Sequence, residues 1–130
     1  MIDKQRLLEK CNITFDVAAD KLRHLIETHP DFFPLYTQNG KWKHSGEVWT
    51  NWCEGFLGGQ LWLLYSHTGD DYWREKAEHY STLLDERKHD RNVHDLGFLF
   101  WSTYKRWFDL TGDMSLKATI ITAGQTMGLR

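Results

Sequence analysis

His94 and Asp95 set an imidazole and a carboxylate side by side, immediately before the apolar run Leu96-Gly97-Phe98-Leu99-Phe100-Trp101. A carboxylate at the start of a helix can accept hydrogen bonds from backbone N–H groups that have no partner within the helix. Asp95 therefore reads either as a plain N-cap or as a carboxylate that the helix dipole keeps ionised, with His94 alone more often a structural hydrogen-bonding residue than a catalyst. Trp49 and Trp52 stand at a second such junction, Trp49-Thr50-Asn51-Trp52-Cys53-Glu54-Gly55-Phe56. An indole face can cover the C–H surface of a pyranose ring and keep water from nearby polar contacts, so the two tryptophans can form a sugar platform. Packing beneath the preceding loop is the other reading. Glu54 adds a carboxylate at the same junction, and capping or first-turn dipole stabilisation explains it equally well.

Other chemistries find less support. Seven histidines invite a metal, yet there is no HExxH, and His89 and His94 are five residues apart. No metal and no cofactor is expected. Gly55, Gly58 and Gly59 resemble no phosphate loop, because no strand precedes them and neither glycine-rich phosphate motif is present. Inside a helix each costs about 1 kcal/mol relative to alanine, and close approach of a neighbouring helix is the expected compensation.

Composition narrows the partners further. Sixteen Lys plus Arg against eighteen Asp plus Glu leave a net charge of −2, with no cationic excess for a nucleic-acid backbone. No apolar run approaches the roughly 20 residues of a membrane span, and Met1 to Lys10 mixes charge with single apolar residues, unlike a signal peptide. The expectation is a cytoplasmic protein with neither nucleic acid nor membrane as partner. Cys11 and Cys53 are isolated thiols, expected as small core residues. Seven Trp, seven Phe and five Tyr among 130 residues call for aromatic-rich helix packing or a pocket that stacks on flat ligands.

The elements that must position these groups are helices. Leu8, Cys11, Phe15, Ala18, Leu22, Leu25 and Ile26 recur at three- and four-residue steps, predicting a helix over Asp3 to Glu27 that Pro30 brings to a stop. Pro30 to Thr50 shows neither helical nor strand period and reads as a long loop. A helix over Trp52 to Ser66 is apolar around most of its circumference and so should be buried on most sides. Asp71 to Arg87 predicts an amphipathic helix with Trp73, Ala77, Tyr80 and Leu84 inward. A fourth helix runs over Asp95 to Leu110, and a fifth passes through Met114, Leu116, Ile120 and Ala123.

These helices repeat. Thr68-Gly69-Asp70 recurs as Thr111-Gly112-Asp113, 43 positions on, and Gly55-Phe56-Leu57 recurs as Gly97-Phe98-Leu99, 42 positions on. Each Thr-Gly-Asp offers a glycine for a left-handed helix end and an aspartate to cap the next helix. A period of this size with two helices per unit predicts stacked α-hairpins, with the second and fourth helices as an inner layer. Trp52 and Asp95 begin those two inner helices, so both should open on one face.

The string Trp52-Cys-Glu-Gly-Phe-Leu-Gly-Gly-Gln-Leu-Trp-Leu-Leu-Tyr65, then Thr68-Gly-Asp70, then His94-Asp-Leu-Gly-Phe98 resembles the amino-terminal part of the unsaturated glucuronyl hydrolases, glycoside hydrolase family 88. The resemblance covers roughly Trp52 to Arg130. It implies an all-α fold, a single domain over 1–130 forming part of an α/α toroid of six hairpins, with about five helices present. It implies an enzyme that releases an unsaturated uronic acid from the non-reducing end of lyase-generated oligosaccharides. The family's reaction hydrates the C4–C5 enol ether: an acid protonates C4, water adds at C5, and the hemiketal expels the remaining sugar. By the same resemblance Asp95 matches the active-site aspartate of the family's His-Asp motif, His94 its neighbour, and Trp52 the tryptophan lining the sugar site. Where members often carry Trp after Gly-Phe, this sequence has Leu57, so one aromatic wall is expected to be missing.

Six hairpins at this period need roughly twice the residues present. The family's principal acid/base aspartate lies on a later inner helix, so little hydrolysis is expected from these 130 residues alone. The apolar edges left uncovered by an open arc favour self-association. A non-catalytic helical repeat that binds carbohydrate or protein through the same aromatic face is the alternative, as is a rhamnogalacturonyl hydrolase-like enzyme.

Overall fold

The computed structural model describes residues 3–44 and 48–129, with the side chains of 48–50 outside that description. The chain divides into two compact units, Met1–Phe32 and Phe33–Arg130. Among the described residues the fold is predominantly helical, with one two-stranded sheet.

The first unit is built on helix α1, Lys4–Thr28, which Asp3 caps by accepting from the N–H groups of Gln5 and Arg6. The helix ends where Pro30 requires it to. Its apolar stripe is buried only over the last turns, at Leu22, Leu25 and Ile26, whereas Leu8 and Cys11 are exposed and Phe15 and Ala18 half-buried. A lone helix has nothing of its own to lay such a stripe against. The expectation that Cys11 is a core residue is thereby corrected, and Cys53 is half-buried.

The second unit opens with a hairpin where a loop is predicted. Strands β1, Tyr36–Gln38, and β2, Lys41–Lys43, pair antiparallel, with Thr37 opposite Trp42. Asn39 and Gly40 both have positive φ, 51° and 72°, the pairing that a type I′ turn demands. A 3₁₀ helix, Val48–Glu54, then leads into α2, Gly55–Thr68. Gly55, Leu57, Gly58, Gly59, Leu61, Trp62 and Leu64 of α2 are all buried, as its apolar circumference predicts.

Helix α3, Asp71–Thr82, returns against α2 and buries Trp73, Ala77 and Tyr80. Trp62 is fully buried where they meet, and its indole N–H donates to Ser81 Oγ at 3.0 Å. The third predicted helix ends early, with Asp85–His89 forming a separate 3₁₀ turn. The fourth breaks in two, into α4, Leu96–Ser102, and α5, Tyr104–Thr111. The break falls at Thr103, whose φ and ψ are −106° and −87°. Its hydroxyl donates to the carbonyl of Leu99 at 2.6 Å, a bond back along the helix that competes with the regular ladder. A short 3₁₀ turn, Met114–Leu116, precedes the last helix, α6, Lys117–Gly128, which packs on α4 and on the Asp85–His89 turn.

The two Thr-Gly-Asp turns have the same geometry. Gly69 sits at φ 68°, ψ 10° and Gly112 at φ 69°, ψ 11°. Each donates its N–H four residues back, to Tyr65 and Phe108, at 2.8 Å. Thr68 and Thr111 each donate to a carbonyl four residues back at 2.8 Å, while Asp70 and Asp113 cap the next turn through Tyr72 and Ser115. The two turns therefore repeat in structure as well as in letters.

Gly55 and Gly59 of α2 meet α4, and Gly58 meets the Thr103 break that follows it. An added Cβ at Gly55 would lie 2.4 Å from the carbonyl oxygen of Phe98, one at Gly58 2.8 Å from Thr103 Cγ2, and one at Gly59 3.0 Å from Ser102 Cβ. This is the close helix approach that compensates for three glycines in one helix. Gly97, the counterpart of Gly55, has a looser neighbour, with Met127 Sδ 3.8 Å from where its Cβ would stand.

Candidate functional site

The approach of α2 and α4 brings their starting ends together. Trp52, in the 3₁₀ turn before α2, stacks tilted against Phe98 of α4 with ring centroids 5.2 Å apart. Phe56 completes a cluster, 5.6 Å from Trp52 and 5.8 Å from Phe98, both edge-on. Phe56 and Phe98 remain 40% and 47% exposed, so this is a surface platform and not core. Phe56 and Phe98 were visible only as letters in the two Gly-Phe-Leu copies. Leu57, by contrast, is buried, so that position does not contribute to an exposed aromatic face.

Asp95 stands at the N-cap of α4, three residues before Phe98, yet its side chain makes no capping bond. With φ −112° and ψ 57° its backbone lies outside the extended conformation from which Asp3, Asp70 and Asp113 cap their helices. Asp95 thus occupies the N-cap position without capping through its side chain. Its Oδ1 lies 3.0 Å from Nδ1 of His94, and the two side chains are 42% and 79% exposed. Trp49 belongs to the same 3₁₀ turn as Trp52, but its side chain lies outside the described residues.

A concavity of about 290 Å³ adjoins Asp95, lined by Gly97, Phe98, Trp101, Ser102 and Met127. A second, of about 250 Å³, continues along α4 and α6 past Trp101, Lys105, Ile120 and Gly124. Trp101 is 69% exposed, and Lys105 Nζ sits over its ring at 5.3 Å. An open apolar trough beside a solvent-accessible carboxylate suits a ligand with one apolar face and several hydroxyls.

Two residues after Trp52, the buried Glu54 belongs to a cluster of charged side chains and does not act as a cap. Its carboxylate is buried and accepts from Arg87 Nη1, while His44 Nε2 lies 3.5 Å away. Burial pushes the Glu54 carboxyl above its ordinary range, outweighing the nearby Arg87 and His44. Arg87 Nε in turn donates to Asp90 Oδ2 at 2.9 Å. A glutamate flanked by Cys53 and Gly55 ahead of an apolar helix was the available signal, since a buried carboxylate needs a cation.

Among the described residues no group of three or more His, Cys, Asp or Glu side chains could hold a metal ion. Among them too, no helix is long and apolar enough to cross a membrane.

Helical hairpins with an aromatic platform and a carboxylate on adjoining helix tips define the class of site, and the sequence has relatives that match in part. Over 101 residues, 75% of this chain, it is 33% identical to the unsaturated glucuronyl hydrolase of Bacillus sp. strain GL1, covering 26% of that protein. Over 54 residues, 42% of the chain, it is 33% identical to an unsaturated glucuronyl hydrolase of Formosa agariphila, covering 14% of it. An unsaturated chondroitin disaccharide hydrolase of Streptococcus pneumoniae is 27% identical over 81 residues, 60% of this chain and 20% of that protein. The chain thus resembles unsaturated glucuronyl hydrolases over part of its length, and the matches span 14% to 26% of these curated relatives. No family profile and no solved structure matches it.

Proposed function

We propose that the chain is part of a glycoside hydrolase acting on oligosaccharides that end in an unsaturated uronic acid, and that its hairpins form an arc of an α/α toroid. The observation that carries this reading is the stacking of Trp52 on Phe98 at 5.2 Å, one helical turn from an Asp95 carboxylate that its own helix does not use. The partial likeness to enzymes named for unsaturated glucuronyl and chondroitin disaccharide hydrolysis supports it.

In this reading the indole of Trp52, with Trp49 three positions before it in sequence, covers the apolar face of the terminal sugar. Stacking excludes water and strengthens every polar contact at the ring edge. Asp95 acts at the enol ether, either holding a ring hydroxyl or handling the proton that hydration moves between water and C4. His94 binds alongside, its imidazole fixing the carboxylate through the Nδ1 contact at 3.0 Å. Hydration of an enol ether differs from two-carboxylate displacement at the anomeric carbon, and so does not require paired acids across one glycosidic bond. One carboxylate and an aromatic wall form a recognition surface. In this reading the acid/base aspartate that the resemblance places on a later inner helix carries rapid turnover, and Asp95 serves recognition.

Titration calorimetry with an unsaturated uronyl disaccharide tests the proposal. Binding is expected, weakened about tenfold or more by Trp52→Ala, because base- or sugar-sized stacking on an aromatic ring is worth about 1–3 kcal/mol. Loss of the unsaturated ring's ultraviolet absorbance should be slow with this chain alone. Absence of binding, or binding indifferent to both Trp52→Ala and Asp95→Asn, overturns the reading.

A further inference from the structure

The two tips of the proposed site are joined by a chain of charge-assisted hydrogen bonds. Glu54 follows Trp52 by two residues in the same 3₁₀ turn, and its buried carboxylate is held by Arg87 Nη1. The same guanidinium reaches Asp90 Oδ2 through Nε. Asp90 uses its other oxygen to accept from the backbone N–H groups of Asn92 at 2.8 Å and Val93 at 3.3 Å. Val93 is fully buried, and the next two residues are His94 and Asp95.

We propose that Glu54, Arg87 and Asp90 are positioning residues that fix the Trp52 turn relative to the His94–Asp95 turn. This rests on the reading that those two turns form one sugar site. A guanidinium suits the task because its planar fork offers donors in fixed directions, so two carboxylates bound to it cannot shift independently. The Trp52 end is anchored further by His44, whose Nδ1 donates to the carbonyl of Phe33 at 2.7 Å while Nε2 faces Glu54. At the other end, Asp90 shapes the backbone that leads into Asp95. Stability alone would not require the relay to terminate beside both tips. A buried ion pair contributes little net stability against an apolar substitute, and its better-attested use is to specify one arrangement.

The test is Arg87→Lys in the full chain. An ammonium keeps the charge near Glu54 but cannot hold both carboxylates in the geometry of the fork. The indole N–H resonance of Trp52, assigned with Trp52→Phe, and the Asp95 amide resonance should both move, while the Trp62 indole, bonded to Ser81 in the core, stays. Affinity for the unsaturated disaccharide should fall about tenfold, since small misplacements of a binding group are costly. A folded Arg87→Lys chain with Trp52 and Asp95 resonances unmoved overturns the relay. If Arg87→Lys does not fold, Asp90→Asn decides: it keeps an acceptor for Asn92 and Val93 but weakens the bond to Arg87, and must shift Asp95 to support the relay. A wild-type chain that binds no sugar, with the resonances moving as described, removes the sugar reading and leaves the relay standing.

Discussion

Gly55 and Phe98 meet backbone to backbone, so closely that a methyl group on Gly55 would overlap the Phe98 carbonyl oxygen at 2.4 Å and the Leu99 Cα at 2.6 Å. Neither atom belongs to a side chain that can turn away. The contact sets how near α2 and α4 lie, and with that the stacking of Trp52 on Phe98.

Gly55→Ala is therefore expected to destabilise by about 1–3 kcal/mol, the usual cost of overpacking, despite alanine's better helix propensity. Gly124→Ala is its counterpart, because nothing lies within 4 Å of the Cβ it would gain. That change should stabilise by about 0.5–1 kcal/mol. Urea melts of the two variants give the signs directly.

The matched Thr-Gly-Asp turns make a second prediction. Alanine at Gly69 or Gly112 must adopt φ near 68° or 69°, where an L side chain is strained but the surrounding space is open. Each substitution should cost about 1 kcal/mol, and the two should add because the turns share no partner. Unequal costs would mean that one turn bears a load the other does not.

Acid should loosen the second unit through Asp85 and Asp90. Burial works to raise both carboxyls, but it is outweighed: Lys88, Thr119 and Tyr104 hold Asp85 below its ordinary range, as the Asn92 N–H and Arg87 hold Asp90. Groups with lowered native pKa values contribute stability that is present above the ordinary carboxylate range and lost as pH falls through the native values. Glu54 runs the other way, its raised value favouring the fold below the ordinary range and ceasing to help as pH rises through it. Thermal melts from pH 7 down to 3 should show a fall that becomes shallower in an Asp85→Asn variant.

The two thiols should differ in reactivity. Cys11 is exposed, whereas burial, with Glu54 beside it, pushes the Cys53 thiol above its ordinary value. A disulfide reagent at neutral pH should consume one thiol quickly and the second slowly, and Cys11→Ser should remove the fast phase.

Which features were legible in the sequence follows from how local their causes are. The Thr-Gly-Asp ends were readable because a glycine, a hydroxyl and a carboxylate satisfy their own neighbours. The Asn39-Gly40 turn has equally local causes, but strands of three residues are too short to display a period. Thr103 carried no such sign, because its hydroxyl bonds within α4 while its methyl abuts Gly58 on another helix. The full extent of the α1 stripe suggested burial that only its last turns achieve, since periodicity records which face is apolar and not what lies against it. At the candidate site, Trp52 and Asp95 were readable as helix-start residues, whereas the link from Glu54 through Arg87 spans 33 positions and leaves no local pattern.

Because no main-chain amide of α4 draws on the Asp95 oxygens, the fold has little stake in what that side chain does. Its charge can be neutralised, replaced or engaged by a bound molecule at small expense to the helix it introduces. Asp70 and Asp113 have no such liberty, being tied to the amides of Tyr72 and Ser115. Of the aspartates that begin helical turns in the second unit, the one released from architectural duty is the one that borders the aromatic platform.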